Sequence, residues 1–385
     1  MSRTTFDESE LVAEACAEAG LADLGAGHRD GLRVLLRTYD ENPFHERGRA
    51  RNRRQVVRWL VTRLRVIEAW RRHPEIRARA IRGPWFLTGL PRSGTSALFN
   101  LLAADPSARA LLNWEARIPE PLEGLAPGAP DPRRAALAAS YERGRAEHRE
   151  FAAMHYTSVD TPEECVLLQG SSFSCVQTGI EVLLEPYGSW YRAQPLGGMY
   201  AYYADLLRLL DWQRPGERWL LKAPAHLWGI RELFAAFPDA RVVWSHRDPV
   251  ASIASVCSMT HLLMRAWMDV DARALGPRVL DFYATSLERG LAAREACDPA
   301  RFVDVHHDEI ARDPIAVVMR VYARFGRPLE GAVRDAIERY ARAHPRGEHG
   351  EHAYRLADYG LAPEAVHRRF ADYCERFAIS EGRAR

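Results

Sequence analysis

Lysine is almost missing from this chain: of 53 basic residues, 52 are arginine and the single lysine is Lys222. Such a bias fits a GC-rich genome in which arginine fills every generic surface role. A lysine standing against it points to a site that needs a compact ammonium. Long apolar runs are absent too, so no segment is expected to span a bilayer, and Met1 to Glu8 lacks the apolar core of a secretory signal. The six cysteines (Cys16, Cys165, Cys175, Cys257, Cys297, Cys374) form no C-x-x-C pair, which predicts reduced thiols and a cytoplasmic protein. Charge of one sign is lacking as well; at a net charge of +2 no global field argues for a nucleic-acid partner. No metal spacing such as H-E-x-x-H occurs, and the histidines of His306-His307 and Gly347 to His352 lack a carboxylate and cysteine frame, so no metal is expected. At 385 residues the chain can build one large α/β domain with a helical addition, or two domains.

What the chain does carry is concentrated in Trp85-Phe-Leu-Thr-Gly-Leu-Pro-Arg-Ser-Gly-Thr-Ser96 and the following Ala97 to Leu102. The apolar run from Trp85 to Leu87 predicts a buried parallel strand. Gly89, Pro91 and Gly94 interrupt it, and an amphipathic helix follows. Ser93, Gly94, Thr95 and Ser96 would aim backbone N–H groups and hydroxyls at one point, at the positive end of that helix. That is an anion site, most often for phosphate. The spacing of Gly89 and Gly94 matches a P-loop, but Thr95 stands where nucleotide-binding loops carry lysine, and Arg92 is the loop's only cation.

Residues 8–80 read as helical, with candidates at Glu8–Ala19, Arg29–Tyr39 and Gln55–Trp70. The last places Val56, Leu60, Leu64 and Ile67 on one face. Its opposite, arginine-rich face reads as a solvated surface rather than a patch for RNA or acidic lipid. Arg133 to Met154 reads as one helix, and Thr161-Pro162-Glu163-Glu164 has a helix-start pattern. Aromatic residues crowd the stretch from Phe173 to Trp212; Tyr187, Trp190, Tyr191, Tyr200, Tyr202, Tyr203 and Trp212 could line an acceptor pocket, although most read as ordinary packing. Strands are then expected at Arg218–Lys222, Arg241–Ser245 and Arg301–His306, each followed by a helix. Asp248 reads as a cap and Pro249 as a first helical residue. This alternation predicts an α/β fold, a parallel sheet covered by helices on both faces, with the ligand beyond the strand carboxyl ends. The anion loop, Lys222 and Arg247 all fall at such ends, so they are expected to form one site.

These residues together resemble the PAPS-dependent sulfotransferases, especially the bacterial group related to tyrosylprotein sulfotransferases. Pro91 to Ser96 looks like the family's 5′-phosphosulfate loop, and Leu220-Leu-Lys222-Ala-Pro224 like its strand-end lysine segment. Arg247 with Ser255 resembles the arginine and serine of the 3′-phosphate motif. Arg301 to Pro314, His344 to Tyr354 and Tyr359-Gly-Leu are similar to later family segments. The resemblance runs over about residues 83–378 and leaves out the N-terminal helices. It implies a P-loop-like parallel sheet flanked by helices at 81–385, with an acceptor-binding insertion at about 115–215 and an N-terminal helical segment at 1–80. Two departures stand out. Small-molecule members carry lysine where this chain has Arg92, and a histidine two residues after the strand-end lysine, whereas His226 is four after Lys222. Tyrosylprotein members use a glutamate about twenty residues past the loop, near the place of Glu115.

The reaction so implied is in-line transfer of a sulfuryl group from 3′-phosphoadenosine 5′-phosphosulfate (PAPS), leaving PAP, to a hydroxyl of a small-molecule, apolar or lipid-like acceptor such as a secondary metabolite. It requires no metal. Arg92 with Ser93, Gly94, Thr95 and Ser96 would hold the phosphosulfate, Lys222 would stabilise the leaving oxygen, and Arg247, Ser255 and Arg346 would hold the 3′-phosphate. Glu115, ahead of His226, is expected to act as general base. Two alternatives stay open: an ATP-dependent small-molecule kinase with a modified P-loop, and a non-catalytic anion-binding protein.

Overall fold

The computed structural model describes residues 5–122, 124–125, 129–144, 158–176, 179–344 and 355–379. Three helices come first: α1 (Glu8–Ala19), α2 (Arg29–Glu41) and α3 (Glu46–Arg72). Asp7 caps α1 by accepting from the Glu10 N–H, and Gly20 ends it in the left-handed region. Helix α3 starts at Glu46 rather than Gln55, because the arginine-rich lead-in contains no proline and arginine is a good helix former. Its buried face carries Val56, Leu60 and Leu64, as the periodicity predicts.

The sheet has five strands: β1 (Trp85–Gly89), β2 (Ala108–Ala110), β3 (Arg218–Lys222), β4 (Arg241–His246) and β5 (Phe302–His306). They pair in the order β2-β3-β1-β4-β5, all parallel. Successive residues of a strand face opposite layers. Phe86, Leu221, Val242 and Trp244 therefore join one core, which also takes in the buried residues of α1, α2 and α3. Trp85, Leu87, Leu220 and Val243 face the other, with Leu98 and Val318. Since β3 and β4 flank β1, the carboxyl ends of these three strands meet in one crevice.

The remaining helices used below are α4 (Thr95–Ala103), α5 (Asn113–Arg117), α6 (Cys165–Gln169), α7 (Gly197–Gln213), α8 (Pro249–Arg265) and α9 (Ala272–Glu295). Asp248 caps α8 through the Val250 N–H at 2.9 Å, with Pro249 at the first helical position. The predicted helix start at Thr161-Pro162 is displaced. Asn113 N–H bonds to the Thr161 carbonyl at 3.0 Å and Glu163 N–H to the Leu111 carbonyl at 2.8 Å, so this segment runs extended and α6 begins only after Glu164. The helix expected from Arg133 is present as Pro132–Gly144, and residues 145–157 lie outside the described residues. No helix among the described residues is long and apolar enough to cross a membrane.

Where β2 leads into α5, a buried charge cluster joins the sheet to the segment after α7. Glu115 accepts two bonds from Arg109, at 2.7 and 2.8 Å, two from Arg214, both at 3.0 Å, and one from the Leu112 N–H at 3.1 Å. Burial alone would raise the Glu115 pKa, but the two guanidiniums overcome it and hold the carboxyl below its usual range. Glu115 thus serves as a buried counter-ion. Removing it leaves Arg109 buried without its partner, so Glu115→Ala should lower unfolding free energy by about 3 to 5 kcal/mol in urea titration. Because its folded pKa is depressed, its contribution is present above the unfolded value near 4.5 and is lost as pH falls below it; the variant's stability should depend less on pH in that range.

Candidate active site

Gly89 ends β1 at φ 142°, where a Cβ would lie 2.3 Å from the Ser245 carbonyl oxygen. Only glycine lets the loop leave β1 so close to β4. Arg92 follows with φ 66°, a left-handed conformation uncommon outside glycine, and Gly94, at φ 87°, is the N-cap of α4. The N–H groups of the first turn of α4 have no intrahelical acceptor and face the crevice with the helix's positive end. The Ser93 hydroxyl does not join them. It is fully buried, donates to the Leu90 carbonyl at 2.6 Å and lies 2.5 Å from the Ser245 hydroxyl, so it braces the loop.

Lys222 is the last residue of β3 and is buried. Its Nζ donates to Ser96 Oγ at 3.1 Å and to Glu164 Oε1 at 2.7 Å. Parallel pairing of β3 with β1 sets Lys222 opposite Leu87, which brings its ammonium to the start of α4. On the other side, β4 delivers Arg247, which donates to the Arg92 carbonyl at 2.6 Å. The Arg92 Nε in turn donates to Ser255 Oγ, on α8, at 3.1 Å. Arg92, Arg247 and Ser255 thus form one cationic group beside the loop. Arg346 lies outside the described residues.

The two expected bases are elsewhere. Glu115 is committed to Arg109 and Arg214 and does not line the crevice. His226 sits on a 3₁₀ turn (Pro224–Gly229) that tucks its ring below the sheet end, edge-on to Phe86, with Nδ1 2.8 Å from the Tyr200 hydroxyl. Burial lowers its pKa to about 3, which makes it a weak base as well as a remote one. Two carboxylates do line the crevice, Glu163 and Glu164, and Glu164, at the N-cap of α6, is the one that bonds Lys222. The sequence signal was present as two adjacent glutamates before an apolar run, but it read as a helix start.

The crevice opens into a cavity of about 590 Å³. Arg92, Gly94, Thr95, Ser96 and Arg247 line its polar end. Trp59, Leu167, Leu263, Phe282 and Tyr283 contribute apolar wall. None of the seven aromatics singled out between residues 187 and 212 lines it; Tyr187, Tyr191, Tyr200 and Tyr203 are fully buried in the core. Arg51, Gln55, Arg58, Trp59 and Thr62 do line it, so one face of α3 is a wall of the cavity rather than a solvated surface.

The arrangement offers an anion cradle, an ammonium paired with a carboxylate, and an adjoining apolar chamber. A P-loop kinase holds its metal with an aspartate at the end of a sheet strand. Here β4, next to β1, ends in Trp244-Ser245-His246. Among the described residues there is also no group of three or more His, Cys, Asp or Glu side chains arranged to hold a metal ion.

Residues 84–331 match the sulfotransferase family. The crystal structure of sulfotransferase STF1 from Mycobacterium tuberculosis is similar, with 32% sequence identity, coverage of 96% of this chain and 100% of that one, and a TM-score of 0.84. The structure of sulfotransferase STF9 from Mycobacterium avium has 30% identity, coverage of 99% and 98%, and a TM-score of 0.88. A curated relative, omega-hydroxy-beta-dihydromenaquinone-9 sulfotransferase Stf3 of Mycobacterium tuberculosis, is 27% identical over 109 residues; the match spans 28% of either protein's length. With a matching parallel sheet, a lysine at the strand end beside an anion loop, and full-length structural likeness to two of its members, the chain belongs to the sulfotransferase family.

Proposed function

We propose that this protein moves a sulfuryl group from PAPS to the hydroxyl of a small, largely apolar or lipid-like acceptor. The observation that carries the reading is the position of Lys222: the chain's one ammonium side chain is held between Ser96 of the anion loop and Glu164 of the cavity wall. The donor fits the polar end. The loop and the first turn of α4 offer N–H groups for the phosphosulfate, and Arg92, Arg247 and Ser255 offer two guanidiniums and a hydroxyl for the 3′-phosphate. The apolar wall suits a hydrophobic acceptor, and Stf3 is named for an omega-hydroxy menaquinone derivative. None of the six cysteines is in a disulfide, which fits a reducing cytoplasm.

When bound, PAPS supplies an activated sulfuryl group. The Lys222 ammonium neutralises negative charge that develops on the leaving oxygen at the loop. Glu164 replaces Glu115 and His226 as the base in this reading, since it is the carboxylate that both touches Lys222 and faces the cavity. One Glu164 oxygen stays with Lys222 Nζ and the other takes the acceptor's hydroxyl proton. The pair orients both partners, so each depends on the other for position.

Donor recognition is tested by heat stability. PAP at about 100 times its Kd should stabilise the protein by about 2.7 kcal/mol, and ADP at the same concentration far less. Equal shifts would remove the 3′-phosphate assignment, and Arg247→Ala should erase the difference. For the chemistry, Lys222→Arg should cut kcat by about a hundredfold with PAP affinity nearly unchanged. Glu164→Gln should cut it by about 10²- to 10⁴-fold, while His226→Asn leaves kcat within a few-fold. A Glu164→Gln enzyme with normal turnover would end the base assignment.

A further inference from the structure

The cavity wall formed by α3 has a chemistry that an apolar alcohol does not use. Arg51, Gln55, Arg58 and Thr62 recur at helical spacing on the side of α3 that lines the cavity. Away from that side Arg49 pairs with Asp40 at 2.6 Å, Arg53 with Glu14 at 2.5 Å and Arg65 with Glu120 at 3.6 Å, while Arg63 is packed away against the Leu24, Ala26 and Ser171 carbonyls. The cavity-lining arginines face open space instead. Arg58 donates to the Arg117 carbonyl at 3.3 Å, and Arg117, from α5, donates to Asn113 Oδ1 at 2.8 Å. Arg51 donates to Asn52 Oδ1 at 2.9 Å and lies over the Trp267 ring. Each of the three is satisfied by neutral oxygen, and none has an ion pair with a carboxylate among the described residues.

Three guanidiniums sharing one wall without a direct ion pair repel one another, and the carboxylates nearby, Glu120 beside Arg58 and Glu163 and Glu164 on the cavity lining, make no salt bridge with them. Arg58 and Arg117 are exposed to the cavity rather than packed away, so their unused N–H groups can reach a bound molecule. The surrounding cavity walls desolvate Arg58 and pull its pKa down, Glu120 nearby opposes this, and the Arg117 charge adds to the lowering; an anion between the two arginines would offset both lowering effects. Arg92 and Arg247 at the loop are a separate pair, tied to each other and to Ser255.

We infer that Arg58 and Arg117, supported by Arg51, form an anion subsite for the acceptor, so that the natural acceptor is amphipathic: an apolar body with a hydroxyl at one place and a carboxylate or phosphate at another. This rests on the sulfuryl-transfer reading for the hydroxyl's role, but the subsite's charge preference is measurable by binding alone. The apolar wall between the two ends would take the body, and the anion would fix which hydroxyl reaches Glu164.

The test is calorimetric titration of the PAP-saturated protein with three probes: a long-chain ω-hydroxy carboxylate, the matching ω-hydroxyalkyl phosphate, and the methyl ester of the carboxylate. At least one anionic probe should bind about tenfold or more tightly than the neutral ester, the usual scale for charge-assisted hydrogen bonds. Which anion gains more separates a carboxylate acceptor from a phosphate one. In Arg58→Gln and Arg117→Gln variants the advantage should shrink to a few-fold while PAP affinity and melting temperature stay unchanged. An ester that binds as well as both anions, absence of binding by every probe, or a preference that survives both substitutions would overturn the subsite. Loss of PAP affinity in these variants would also overturn it, by assigning the arginines to the donor. Failure of PAP to outperform ADP tells instead against the donor assignment and leaves the probe ranking to stand on its own.

Discussion

The contact between Lys222, Ser96 and Glu164 ties together three parts of the chain that are far apart in sequence. An ammonium group buried at a strand end needs an anion or several oxygens beside it to replace its lost hydration. Here it finds a hydroxyl from the anion loop on one side and a carboxylate from the wall of the cavity on the other. The same ammonium therefore joins the anion loop to the wall of the cavity. The parallel pairing of β1 with β3 makes this possible, because it sets Lys222 in register with Leu87, just ahead of the loop.

A second constraint acts on the other flank. β4 approaches β1 closely enough that Gly89 has no room for a side chain, and this closeness lets Arg247 reach the carbonyl of Arg92. Arg92 then turns toward Ser255 on α8. A lysine at the usual P-loop position is not needed in such an arrangement. Positive charge arrives from both neighbouring strands instead of from the loop's own helix. Charge spread in this way suits a donor with two separate anionic ends better than a nucleoside triphosphate, whose phosphates are consecutive.

Polar groups within the fold divide by what surrounds them. Glu115 is held by two guanidiniums and a backbone N–H, an environment that stabilises the carboxylate and removes its basicity. His226 is held by a tyrosine hydroxyl in an apolar shell, which keeps the imidazole neutral. Both are buried, and both build the structure beneath the site. Glu164 lies at the start of a short helix on the cavity wall, with one oxygen on Lys222. The arginines of α3 also differ by surroundings: Arg49, Arg53 and Arg65 meet carboxylates, Arg63 meets backbone carbonyls, and Arg51 and Arg58 face the cavity.

Much of this architecture could be read from the chain alone. Apolar periodicity located α1, α2, β1, β3 and β4, Asp248 and Pro249 marked the start of α8, and the glycine spacing located the anion loop, because each signal depends on neighbours within one or two turns. The solitary lysine was legible for the same reason: composition is a property of the sequence. What the tertiary structure decided was which side chains share a wall. Ser96 and Lys222 are 126 residues apart, and Glu164 and Lys222 are 58 apart; no local pattern sets such distances. Glu115 looked like a base by its place after the loop, yet Arg109 and Arg214 claim it once the chain closes. Helix α3 looked like a solvated surface because amphipathic periodicity tells which face is apolar and not what the polar face looks onto. Packing on the sheet turned that face toward the cavity.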